Sequence, residues 1–132
     1  MGKLTTGLLA AALILTCAAC GPSGSNDPRG AAEAFEHAIE AGDGTGACAL
    51  LAPRTRSEVE QSAGKPCAEG ILEEDLPEAG APTGSSAYGT IGQVRFADDT
   101  LFMAEFESGW RVTAAGCAPK PPAAYECAIQ GG

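Results

Sequence analysis

Hydrophobic and polar positions follow one period in the first half of this chain and another in the second. Early on, Ala31, Phe35, Ala38 and Ile39 recur at helical spacing. Asp27 is expected to cap the helix they define, Pro28 to open it and Gly42 to end it. A second short helix is expected over residues 47–51, stopping before Pro53. Thr55-Arg56-Ser57-Glu58 has the pattern of a capping box, so a third helix is expected from there to Gly64. A further helical turn is expected over residues 67–74. Residues 76–86 are rich in Pro, Gly, Ala and Ser and read as a connecting loop.

From residue 92 the period drops to two. Gly92, Val94 and Phe96 share one parity, Phe102, Ala104 and Phe106 another, and Trp110, Val112 and Ala114 a third run. Ala97-Asp98-Asp99 and Glu107-Ser108-Gly109 read as three-residue turns between them. With both loops odd in length, Phe96, Phe102, Phe106 and Trp110 are expected on one sheet face, and Glu105 opposite Arg111 on the other. A last strand over residues 124–129 would present Tyr125, Cys127 and Ile129 together. The expected architecture is α+β: helices first, then a curved antiparallel sheet of about four strands.

The first residues carry a different signal. A lone early cation, Lys3, precedes a short apolar run that ends at Thr16, and small residues follow. This is the layout of a secretory signal, and the run is shorter than the roughly 20 residues a membrane-spanning helix needs. Ala18-Ala19-Cys20-Gly21 resembles the lipobox of bacterial lipoproteins. That resemblance implies cleavage after Ala19 and lipidation of Cys20; cleavage without lipidation would leave a secreted protein. The organisation expected is a signal peptide over 1–19, a flexible Gly- and Ser-containing tether over 20–27 and one domain over 28–132.

The cysteines fit that reading. Of six, Cys17 would leave with the signal and Cys20 would carry lipid, so four remain in an exported domain: Cys48, Cys67, Cys117 and Cys127. An even set in an oxidising compartment points to disulfides. Four cysteines allow three connectivities, and the short-range pairing Cys48–Cys67 with Cys117–Cys127 is favoured. No Cys-x-x-Cys pair survives removal of the signal, and His37, the only histidine, has no cysteine close by in sequence, which argues against zinc.

Net charge is −9 for the whole chain, and losing Lys3 makes the remainder more acidic still. A surface of that sign disfavours binding to nucleic-acid phosphates and to anionic lipid headgroups.

Taken together, residues 31–35 (Ala-Ala-Glu-Ala-Phe), Ala41-Gly42-Asp43 and residues 47–53 (Ala-Cys-Ala-Leu-Leu-Ala-Pro) resemble the opening helices of NTF2-like domains. Gly109-Trp110-Arg111-Val112 resembles their late strands. The setting resembles that of small secreted or lipid-anchored actinobacterial proteins. The likeness runs over most of residues 28–130 and implies a helical layer packed into a curved antiparallel sheet. Some members of that superfamily hold Asp, His or Tyr in the resulting cone as catalysts; no family catalytic motif carries over by position.

Candidate chemistry is sparse. His37 lies on an amphipathic helix and reads as a boundary residue rather than a catalyst. Glu105 reads as a cross-strand partner of Arg111 rather than a buried acid. Asp98-Asp99 reads as a solvated hairpin tip, and Glu73-Glu74-Asp75 with Glu78 as a solvated acidic run. Tyr88, Trp110 and Tyr125 could line a pocket or fill the core. No nucleophile elbow or nucleotide loop is present. The expected function is a non-enzymatic, membrane-anchored interaction or accessory module at the extracytoplasmic face. It would need no cofactor and would meet an envelope protein as partner. A small-ligand-binding, or less readily catalytic, NTF2-like domain is the alternative.

Overall fold

In the computed structural model, residues 27–131 are described, together with residue 2. The expected signal peptide, Cys20 and the tether up to residue 26 lie outside the described residues. Helix α1 (Arg29–Glu40) buries Ala32, Phe35 and Ala38, with Ala31 and Ile39 partly covered beside them. Pro28, not Asp27, is the residue that flanks its start, and the Asp27 carboxylate instead accepts the Arg29 amide at 3.0 Å. Helix α2 (Gly44–Ala49) begins earlier than its apolar residues suggest, because Asp43 accepts the Gly46 amide at 2.9 Å and caps it.

Helix α3 (Pro53–Ala63) corrects the capping-box expectation. Pro53 opens the helix, where its missing N–H costs nothing and its fixed φ suits the first turn. Thr55 therefore lies inside that turn and makes no cap; its side chain is buried and bonds elsewhere. The helix stops at Gly64. Helix α4 (Cys67–Gly70) and a 3-10 turn (Ile71–Glu73) complete the helical layer.

Five strands follow as an antiparallel meander in the order of the chain: β1 (Pro82–Tyr88), β2 (Ile91–Phe96), β3 (Thr100–Phe106), β4 (Gly109–Lys120) and β5 (Ala123–Gln130). Strand β1 lies where a loop was expected. It is an edge strand exposed along most of its length, so neither face imposes an apolar period on Gly84, Ser85 and Ser86. Past the end of β5, the link between α2 and α3 takes over the free side of β4. Val112 donates to the Leu50 carbonyl and accepts from Ala52, each at 2.8 Å.

The register overturns the expected sheet faces. Arg95 pairs with Thr100, so the β2–β3 loop has an even number of residues; Phe106 pairs with Gly109, so the next loop does too. Each shift of one residue exchanges the two faces of a strand. Val94 and Phe96 face the helices together with Leu101, Met103, Trp110 and Val112. Phe102 and Phe106 point the other way, and Glu105 pairs with Trp110 rather than Arg111, whose partner is Ala104.

The core lies between the helices and the inner sheet face. Phe35, Val59, Ile71, Val94, Leu101, Met103 and Val112 are fully buried there. Burying each of these side chains is worth about 1.5–3 kcal/mol. Two disulfides brace the ends of the fold. Cys48–Cys67 ties α2 to α4, and Cys117–Cys127 joins directly paired residues of β4 and β5.

Candidate functional site

The sheet face turned away from the helices carries a row of apolar side chains with little over them. Tyr88 pairs with Ile91, Ile91 with Ala104, and Ala104 with Arg111, so these residues and Phe106 share that face across four strands. Tyr88 is 85% exposed, Ile91 66% and Phe106 41%. An open hollow of about 210 Å³ lies among Ser86, Tyr88, Ile91, Gln93 and Phe102. Exposed apolar residues scattered singly are ordinary, but neighbours in register on one face form a patch of the kind that marks a docking surface.

The rest of that face is covered by the chain itself. At Gly116 the backbone takes φ +65°, a conformation that other residues adopt only with strain. Beyond it the β4–β5 ribbon reaches back over the sheet. The Tyr125 ring meets Phe102 edge to face at 5.0 Å, and its hydroxyl accepts a hydrogen bond from the Gln93 amide at 3.1 Å. Tyr125 thereby touches side chains of β2 and β3 although its own strand is paired only with β4.

Two cations lie near the patch and, like Arg54 on α3, they stand outside the ion pairs formed among the described residues. Arg29, Arg56, Lys65 and Lys120 pair with Glu33, Glu60, Glu73 and Glu126. Arg95 and Arg111, on the outer face, make no ion pair among the described residues; Arg111 donates only to the Trp110 carbonyl, at 3.3 Å. In an acidic chain the outer face is thus apolar with two available cations.

A second arrangement lies between the layers. Glu36 on α1 and Asp99 at the end of the β2–β3 hairpin are each only 5% exposed. Asp99 Oδ1 accepts the amides of Thr100 (2.6 Å) and Cys117 (3.0 Å), and Oδ2 accepts that of Gly116 (3.1 Å). The Glu36 carboxyl lies beside that of Asp99 and feels its charge, and its buried Oε1 has no hydrogen-bond partner. Burial, then the adjacent Asp99 charge, pushes Glu36 up to about 8. Burial also pushes Asp99 up, opposed by its three amides and by the Glu36 carboxyl. Both side chains are enclosed between α1 and the sheet rather than presented at the surface.

The structure separates the other candidates. His37 is exposed on α1, and Glu105 is exposed beside the β3–β4 turn. Asp98 is solvated, but Asp99, expected at the hairpin tip with it, is buried; the Thr100 amide beside it and two amides that only tertiary structure brings near, from Gly116 and Cys117, draw it inward. In the acidic run Glu73, Asp75 and Glu78 are exposed and Glu74 is half-buried. Trp110 fills core, whereas Tyr88 is on the surface. Glu36 carried no signal in the sequence, since one glutamate on an amphipathic helix looks like any other. Among the described residues, no group of three or more His, Cys, Asp or Glu side chains could hold a metal ion, and no helix is long and apolar enough to cross a membrane. Comparison with known proteins finds no matching family model, no matching curated relative and no matching solved structure.

Proposed function

We propose that this protein is a non-enzymatic interaction module, anchored by lipid on Cys20 at the extracytoplasmic face, that docks onto another envelope protein through its outer sheet face. One observation carries the reading: Tyr88, Ile91 and Phe106 form an exposed apolar row on a face that no helix covers among the described residues. Arg95 and Arg111 define the chemistry of the partner, which offers apolar side chains flanked by carboxylates. A second copy of this acidic chain is the poorer occupant, because like charges oppose the approach. The two disulfides support residence in an oxidising compartment.

The helical layer on an antiparallel sheet supports an NTF2-like reading of the fold. The interior, however, is occupied by side chains rather than by a ligand space. The hollow on the outer face is open, and at about 210 Å³ it is smaller than the roughly 300–1,000 Å³ typical of small-molecule sites. Both points favour docking over ligand capture at this face.

A photo-crosslinking side chain placed at Ile91 in intact cells tests this. The expected result is one discrete protein adduct that Arg111→Glu abolishes and that the same probe at exposed Glu58 on α3 does not give. Equal or absent adducts at both positions would refute the docking face. The intact mass of the membrane-extracted protein tests the anchor separately: a lipid increment on a chain beginning at Cys20 is expected.

A further inference from the structure

We propose that Glu36 and Asp99 form a proton-holding latch between α1 and the sheet, closed while the two carboxyl groups share one proton and released when both are ionised. The geometry assigns the roles. Asp99 is the ionised member, because both its oxygens accept backbone amides, from Thr100 and Cys117 at one and Gly116 at the other. Glu36 holds the proton, because a second charge beside that of Asp99 is opposed in a buried site, and its Oε1 finds no donor that would favour a charge.

The surroundings give no relief. From α1 itself Glu40 adds a second negative charge. From β4 come only the amides of Gly116 and Cys117, and Cys117 is held in a disulfide. Helix α2, also packed on α1, carries no side chain that titrates, since Cys48 is bridged. His37 is on the exposed side of α1. No lysine or arginine is among the groups that act on either carboxyl. Ionising Glu36 therefore places two carboxylates together in a buried site, and their repulsion acts to part α1 from the sheet.

The sign follows from proton linkage. Unfolded, Glu36 titrates near 4.5; folded, near 8. Across that window the folded state keeps a proton that the unfolded state has lost. Stability is therefore greatest below the lower value and declines as pH rises to the higher one, by at most about tenfold in the folding constant per pH unit.

The experiment uses the full chain, with urea unfolding from pH 5 to 9, infrared detection of protonated carboxyl groups, and amide exchange compared between α1 and α3. In wild type we expect the unfolding midpoint to fall up to about pH 8, a protonated-carboxyl band that persists at pH 7 and titrates near 8, and α1 amides that lose protection before those of α3. Glu36→Gln keeps a donor toward Asp99 without a titrating proton. It should remove the band, flatten the midpoint and restore α1 protection at high pH. Two results would overturn the latch: equal pH slopes in wild type and E36Q, or simultaneous loss of protection in α1 and α3. Should the variant not fold, the wild-type band decides, and its absence at pH 7 refutes the shared proton.

Discussion

The hydroxyl of Thr55 donates to the backbone carbonyl of Thr113 at 3.1 Å, joining the first turn of α3 to a bulged point of β4. The same carbonyl accepts the amide of Gly131 at 2.9 Å, so one oxygen fastens both a helix and the end of β5. Thr55→Val is close to isosteric and removes the donor while Gly131 keeps the carbonyl satisfied. It should destabilise by about 1 kcal/mol, the net worth of one hydrogen bond. Urea unfolding of the two proteins checks this, and a loss several times larger would mean that the carbonyl is left unpaired when Thr55 changes.

Phe102 and Phe106 share a strand face, yet they should respond differently. Phe102 is half-covered and packs edge to face on Tyr125. Phe102→Ala should cost about 1–2 kcal/mol, from lost area and the aromatic pair. Phe106 is exposed, and Phe106→Ser should stay within about 0.5 kcal/mol of wild type. If both faced the core, as three-residue turns would require, the two substitutions would be similarly severe. Thermal unfolding of the pair therefore reads the sheet register directly.

That register marks how far the sequence was legible. The stripe of Phe35 and Ala38, the helical end at Gly64 and the alternation around Val94 and Val112 arise from local period, and each appears in the structure with its expected element type. The antiparallel α+β layout is present, with five strands. What failed depends on tertiary partners. The parity of two turns hung on single residues, Phe96 and Gly109, and one residue reverses a face. Strand β1 was hidden because an exposed edge needs no apolar pattern. Asp99 looked like surface because its amide donors come from Gly116 and Cys117, well beyond it in the chain. The outer apolar row was equally out of sight, since Tyr88 and Ile91 align with Phe106 only once the strands are paired.

Helix α2 and helix α4 approach more closely than any side chain at residue 44 would permit. A Cβ built on Gly44 would lie 1.9 Å from the carbonyl oxygen of Ala68. That oxygen belongs to backbone and cannot swing aside. Gly44→Ala should therefore push the two helices apart against the Cys48–Cys67 bridge, costing about 2–3 kcal/mol as overpacking does. Gly30→Ala is the matched control, because nothing lies within 4 Å of its added methyl and it sits in α1. It should be neutral or stabilising by up to about 1 kcal/mol. Unfolding midpoints that order the two variants the other way would refute the close approach.

The two disulfides should separate by access and by consequence. Cys48 and Cys67 are both buried, while Cys127 is half-exposed, so graded reductant should open Cys117–Cys127 first. Chain-entropy arguments make the bridges similar in worth, about 3 kcal/mol each, with the longer Cys48–Cys67 loop slightly ahead. Their local effects differ. Cys117 is the residue whose amide holds Asp99, and the ribbon it closes carries Tyr125 over Phe102. Cys117→Ser with Cys127→Ser should therefore loosen both the Tyr125–Gln93 hydrogen bond and the Asp99 cradle, and lower the pH at which α1 loses protection. Cys48→Ala with Cys67→Ala should lower global stability without moving that pH. Exchange profiles of the two double variants distinguish these outcomes, and an identical pH response in both would break the connection between the ribbon and the buried carboxyl pair.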